Sequence, residues 1–220
     1  MQDSQPIWVL GTDTEIGKTL ASSLVQHALE GSYWKPVQSG TDNGVTDTMR
    51  VKSLSQRPDE SFLAERWRLT EPFSPHKSAK IDGVQISLGD FSWPECRDTF
   101  LIAEGAGGLL VPLNDKDLLI DLVAQLSAPV ILVCRSSLGT INHTLLSVDA
   151  LRSRNLPIIG FIISGRPDAD NRQAIEHFSG LECLAEIPYL HDISPQVIKE
   201  LAISTKIAAK IKARLTEMNV

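Results

Sequence analysis

This sequence predicts a single-domain α/β fold whose mostly parallel sheet is flanked by helices on both faces, and three observations carry that expectation. Short apolar runs of buried-strand length recur along the chain. Amphipathic helical stretches alternate with them, which is the spacing of strand-helix-strand units and so of parallel pairing. Glycine-rich and polar clusters follow several of the runs, at the strand ends where ligands of such sheets gather. A length of 220 residues with 42% hydrophobic content suffices for one sizeable core, so residues 1–220 are read as one domain.

In chain order, the apolar run 7–10 (Ile-Trp-Val-Leu) reads as the first strand and 18–29 as the first helix. Residues 33–37 read as a second strand. Between Gly40 and Phe100 the periodicity weakens while proline, serine and acidic residues increase, so short helices and long loops over the strand ends are expected. Strands at 99–103, 129–134, 158–163 and 184–187 then alternate with helices at 118–126, 140–154 and 170–178. A final helix over 204–218 carries Ile203, Ile207, Ile211 and Leu215 at four-residue spacing beside Lys206, Lys210, Lys212 and Arg214. That stripe reads as a packed terminal helix rather than a basic membrane-surface helix.

The net charge of −6, with lysine and arginine scattered rather than blocked, argues against a nucleic-acid surface. No run approaches the roughly 18 apolar residues of a membrane span, and no basic segment followed by an apolar stretch opens the chain, so a cytoplasmic protein without membrane partners is expected. Cys96, Cys134 and Cys183 lie far apart without metal-ligand spacing and read as structural. The histidines also lack ligand spacing, and no Gly-x-Ser-x-Gly elbow is present, so hydrolase chemistry through an activated nucleophile finds no support.

The segment 11–19, Gly-Thr-Asp-Thr-Glu-Ile-Gly-Lys-Thr, joins strand to helix and reads as a phosphate-binding loop for a nucleoside triphosphate. Gly11, Thr12, Asp13, Thr14, Glu15, Ile16, Gly17, Lys18 and Thr19 would wrap the phosphates with backbone N–H groups. Lys18 adds a point charge, and Thr19 offers a hydroxyl to Mg²⁺. The loop is a variant, because the position five before Gly17, a glycine in the common form, holds Thr12 with Gly11 just ahead of it. Three further clusters fall at strand ends. Lys35-Pro36-Val37-Gln38-Ser39-Gly40 places a second lysine where transfer of a phosphoryl group to an anionic nucleophile would need it, or else a solvated one. Glu104-Gly105-Ala106-Gly107-Gly108 puts a carboxylate at the end of a buried strand before a flexible glycine turn, as an Mg²⁺-organising acid or a turn cap. Asp47 or its competitor Asp42 supplies a further metal-side acid, and the helix start at Gly139, Thr140 and Asn142 favours an anion.

Taken together, the loop 11–19, the segments 35–40, 74–76 (Ser-Pro-His), 104–112 (Glu-Gly-Ala-Gly-Gly-Leu-Leu-Val-Pro) and 138–146 (Leu-Gly-Thr-Ile-Asn-His-Thr-Leu-Leu) resemble, in order and spacing, the dethiobiotin synthetases of the phosphate-loop NTPase superfamily. The resemblance implies a Rossmann-like phosphate-loop fold and an ATP-dependent carboxylation and ring closure. In it 7,8-diaminononanoate, CO₂ (or bicarbonate as its source) and Mg-ATP give dethiobiotin, ADP and phosphate through a carbamate and a carbamic-phosphoric anhydride. It implies Lys18 on the phosphates; Thr19, Asp47 and Glu104 on Mg²⁺; and Lys35, Ser39 and Glu15 where amines and CO₂ meet. It also implies Ser164, Pro188, Tyr189 and Leu190 beside the nucleotide. Family members are homodimers whose partner subunit supplies the helix start matching Gly139, Thr140 and Asn142 to the substrate carboxylate. One departure is clear: the family's Asn-Asp pair, which reads the adenine, is Ser164-Gly165 here. The rival readings are a partition- or division-type switch ATPase, whose early loop lysine is missing from residues 12–16, and a divergent synthetase with another substrate.

Overall fold

The computed structural model describes residues 4–218. The chain runs β1 (Gln5–Gly11), α1 (Lys18–Leu29), β2 (Ser32–Trp34), β3 (Val37–Ser39), α2 (Asp47–Ser55), β4 (Phe62–Leu63), β5 (Trp67–Leu69), α3 (Pro75–Ile81) and β6 (Phe100–Gly108). It continues α4 (Leu119–Leu126), β7 (Val130–Arg135), α5 (Thr140–Arg152), β8 (Ile158–Ser164), α6 (Ala169–Ser179), β9 (Cys183–Ile187), α7 (Pro195–Thr205) and α8 (Ile207–Glu217). The main sheet has seven strands in the order β4-β2-β6-β1-β7-β8-β9. Every pairing in it is parallel, while β3 and β5 form a separate parallel ribbon.

Strand alternation sorts the core into two layers. Ile7 and Val9 of β1 face the layer under α1 and α8, with Leu24, Val25, Ile207 and Ile211. Trp8 and Leu10 face the layer of α4, α5 and α6, with Ile120, Leu151 and Ile175. Both faces of the central strands are therefore dry, which is why their sequences read as continuous apolar runs.

Three expectations need correction. The strand expected at 33–37 is two strands in different sheets, because Pro36 has no N–H to continue the ladder and the chain leaves the main sheet there. The strand expected at 99–103 runs on to Gly108, so Glu104 sits inside β6 rather than at its end. The glycines allow it: β6 slips in register against β1 between Val9 and Gly11, and a Cβ at Gly105 would lie 2.7 Å from Leu10 Cδ2. The terminal helix expected over 204–218 starts instead at Ile207 as α8, and the helix before it, α7, which the sequence reading left out, meets it at a hinge on Lys206 in the left-handed region (φ 54°). A repeat of four drifts about 40° per step against a 3.6-residue turn. One straight helix would therefore turn the Ile203-to-Leu215 stripe off the sheet. After the hinge Ile207, Ile211 and Leu215 are buried while Ile203 is exposed. The basic side chains nearby are engaged as well: Lys210 bonds the carbonyls of Cys183 and Leu184 and pairs with Glu182, and Arg214 pairs with Glu217. No helix among the described residues is long and apolar enough to cross a membrane.

A left-handed lysine costs about 1–2 kcal/mol, partly offset by the roughly 0.5–1 kcal/mol of chain entropy that glycine brings to the unfolded state. Lys206→Gly is therefore expected to stabilise the protein by about 0.5–1 kcal/mol in urea denaturation, and a loss of stability would contradict the hinge assignment.

Candidate functional site

β1 delivers the chain into the loop 11–17, and α1 begins at Lys18 behind Gly17. Two glycines are required there. Gly17 has φ 86°, and a Cβ on it would lie 2.5 Å from Ser164 Oγ. A Cβ on Gly11 would lie 2.8 Å from Lys18 Cδ and 2.9 Å from the Asp13 carbonyl. This tight wrap turns Lys18 back over the loop, where Nζ donates to the Asp13 carbonyl at 2.6 Å. Glu15 adopts a positive φ of 53° and stays exposed. Arg135, at the end of β7, forms an ion pair with Asp13.

Beside the loop lies a buried charge cluster set by strand register. β2 pairs with β6 so that Tyr33 faces Ile102 and Trp34 faces Ala103, which brings Lys35, just past the end of β2, beside Glu104 of β6. Lys35 Nζ lies 2.8 Å from Glu104 Oε1 and 2.8 Å from Asp47 Oδ2, and donates to the Gly105 carbonyl at 3.1 Å. Thr19 Oγ1 lies 3.0 Å from Glu104 Oε1 and 3.2 Å from Asp47 Oδ1, and its one proton serves one carboxylate at a time. Tyr33 Oη donates to Glu104 Oε2 at 2.9 Å. Only 3% of Lys35 and 1% of Glu104 are exposed. Asp47 is brought in because Thr46 caps α2 by accepting from the Met49 N–H, while the Asp47 N–H donates to the side-chain carbonyl of Gln38. Asp42 is exposed and paired with Arg50, which separates the two candidate acids.

The lysines are polarised in opposite directions. Burial, followed by repulsion from Lys35, pulls Lys18 down to about 8. Burial also pulls on Lys35, but Glu104 and then Asp47 outweigh it and hold that ammonium above the ordinary lysine value. Burial raises Asp47, but Lys35 outweighs it and keeps the carboxyl below its usual range. For Tyr33, burial and then the charge of Glu104 push the phenol well above its normal value, so it remains a donor.

The cluster lines a cavity of about 510 Å³ together with polar Glu15, Lys18, Thr19 and Lys35 and apolar Phe73 and Val111. Ser39 lines it with a buried hydroxyl that has no protein partner, as do Ser74 and Pro75 at the start of α3. Among the described residues no group of three or more His, Cys, Asp or Glu forms a self-contained metal site. Two carboxylates and a hydroxyl suit a hard divalent ion that draws its remaining ligands from phosphates and water.

The other expected residues lie outside this cavity. Ser164 packs against Gly17. Pro188, Tyr189 and Leu190 follow β9, with Tyr189 exposed and Leu190 packed against the core layer under α8. Gly139, Thr140 and Asn142 open α5, where Thr140 is buried and donates to the Arg135 carbonyl, leaving Gly139 and Asn142 exposed. A second groove of about 390 Å³ runs between Leu109, Leu110 and the α5 residues His143, Leu146 and Ala150. Sequence reasoning missed Tyr33 and Arg135. Tyr33 stands two residues before Lys35 and so shares its strand face, a signal legible in principle; the Arg135 pair joins residues 122 apart in sequence and left none.

A family model described as an AAA domain matches residues 5–197. An ATP-dependent dethiobiotin synthetase of Brucella ovis is 48% identical over 188 residues, covering 86% of this chain and 88% of that one. The enzyme of the same name from Afipia carboxidovorans is 42% identical over 197 residues, covering 90% and 93%. Among solved structures, the septum site-determining protein MinD of Pyrococcus horikoshii superposes with a TM-score of 0.56 at 14% identity, covering 95% of this chain and 94% of that one, a likeness of fold alone.

The depressed Lys18 carries a stability signature. Between about pH 8 and the ordinary lysine value near 10.5, the unfolded chain binds more protons at this residue than the folded one, so stability rises with pH there. The stability of the parent minus that of Lys18→Met, followed by urea titration, is expected to increase from pH 8 to pH 10; a flat difference would contradict the depression.

Proposed function

Since the chain belongs to the ATP-dependent dethiobiotin synthetase family, ligases of biotin biosynthesis, we propose that its cavity carboxylates 7,8-diaminononanoate with CO₂ and closes the ureido ring at the expense of ATP. The observation that carries this reading is the convergence of Lys18, Lys35, Thr19, Asp47 and Glu104 in the lining of one cavity, with apolar Phe73 and Val111. One substrate amine adds to CO₂ and loses a proton, giving a carbamate. A carbamate oxygen attacks the γ-phosphorus in line, the bond to the β,γ-bridging oxygen breaks, and ADP leaves. The second amine then attacks the carbonyl carbon and loses a proton, and phosphate departs as the ring closes. The obstacle in the middle step is repulsion between an anionic nucleophile and a polyanion, and the buried Lys18 and Lys35 offset it.

Lys18 gives up the Asp13 carbonyl for the phosphates, which restores the full charge of its ammonium. Thr19, Asp47 and Glu104 would hold Mg²⁺, which would supply neutralisation of phosphate charge. Lys35 moves from the carboxylates towards the carbamate, while Ser39 and Glu15 orient the amines. Ser164, with Pro188, Tyr189 and Leu190, borders the nucleotide; a hydroxyl at 164 both donates and accepts, so it reads the base less strictly than a carboxamide pair. The apolar groove with exposed Leu110 and Leu146 supports a homodimer in which Gly139, Thr140 and Asn142 of the partner subunit receive the substrate carboxylate.

Phosphate release from Mg-ATP with bicarbonate is expected to require 7,8-diaminononanoate and to yield dethiobiotin by mass. Diamine-independent hydrolysis would favour a switch ATPase, and turnover with a different amine a divergent synthetase. Lys35→Ala should abolish turnover while keeping ATP affinity within about threefold, and unaffected activity would remove Lys35 from the mechanism. Lys35→Ala and Asn142→Asp subunits, each inactive alone, should regain activity on mixing if each site spans two subunits. No regain in verified mixed dimers would mean that each subunit works alone.

A further inference from the structure

Glu104 is held by partners of two kinds. Lys35 Nζ and Thr19 Oγ1 reach Oε1 at 2.8 and 3.0 Å, and both belong to the groups that turn to substrate or cation in the proposed reaction. Tyr33 Oη, at 2.9 Å from Oε2, is different. Its ring is fully buried in the core layer beneath α1 and does not line the cavity. When Lys35 and Thr19 release Oε1, Tyr33 is the partner that remains.

A carboxylate at the end of a flexible side chain rotates readily about its last bond, since that torsion has a broad, twofold preference. A donor on one oxygen stops the rotation. Without it, Oε2 would be a buried acceptor with no partner, and Glu104 would swing to offer both oxygens to the Lys35 ammonium, the group that competes with a cation for the same charge.

We propose that Tyr33 is a positioning residue of the metal site: its buried phenol fixes Glu104 through Oε2 and so presents Oε1 to the phosphate loop. The proposal rests on the reading of Glu104 as a metal-side carboxylate. Outer-shell donors of this kind typically shift metal affinity by about 10–100-fold.

The test compares the full-length enzyme with Tyr33→Phe, which keeps the ring volume and removes only the hydroxyl, and with Glu104→Gln. Binding of Mn²⁺ in the presence of ADP is followed by electron paramagnetic resonance, binding of ADP without metal by calorimetry, and folding by thermal melting. Tyr33→Phe is expected to weaken Mn²⁺ by about tenfold or more while metal-free ADP affinity stays within about twofold. In turnover the Mg²⁺ concentration for half activity should rise by a similar factor, with kcat recovered at high Mg²⁺. Equal losses of metal-free ADP and Mn²⁺ binding would mark a merely structural residue and overturn the proposal. If Glu104→Gln weakens Mn²⁺ and Tyr33→Phe does not, the role of Tyr33 falls and the metal reading stands. If Glu104→Gln binds Mn²⁺ normally, the metal reading falls, and this proposal with it.

Discussion

The ion pair of Lys35 and Glu104 is almost wholly shielded from water, and a pair so placed costs more in lost hydration than its attraction returns unless every remaining valence is met. The surroundings meet that demand. Tyr33 and Thr19 take up the oxygens of Glu104, Asp47 and the Gly105 carbonyl take up the ammonium, and Gln38 and Thr46 hold Asp47 in place. The break at Pro36, the start of α2 and the register of β2 on β6 all serve to bring these groups together. Such an assembly gains little net stability from its charges, but it keeps polar groups poised in a dry site, where they act strongly on a ligand.

The phosphate loop is held by a different means. Gly11 and Gly17 let backbone and side chains approach to distances no Cβ allows, and the Arg135–Asp13 pair clamps the loop to the end of β7. The carbonyl of Arg135 accepts from Thr140, at the first turn of α5. A connected set of bonds therefore runs from Lys18 through Asp13 and Arg135 to the start of α5. The fold shared with MinD supplies the phosphate loop and sheet, while the chemistry resides in side chains placed on them.

The strands and helices read from periodicity were right wherever an element was long and buried on a regular face. The errors fall where a local rule gave way to tertiary packing. Pro36 ended a ladder whose apolar run continued, a register slip carried β6 past Glu104, and Lys206 accepted a left-handed backbone so that Ile211 and Leu215 could reach the sheet. The short strands β4 and β5 lay unseen in the irregular stretch 40–100, because two or three residues carry no measurable period.

By itself the sequence determined the alternation of elements, the phosphate-binding loop and the identity of the polar groups near it, because these depend on residues close together in the chain. Tertiary structure alone brought Asp47 rather than Asp42 beside Lys35 and Thr19, enlisted Tyr33 behind Glu104, and set Arg135 against Asp13. It also lowered Lys18 while raising Lys35. Each of those outcomes turns on distances and burial between residues far apart in sequence, and the lysines differ because burial dominates one and two adjacent carboxylates the other.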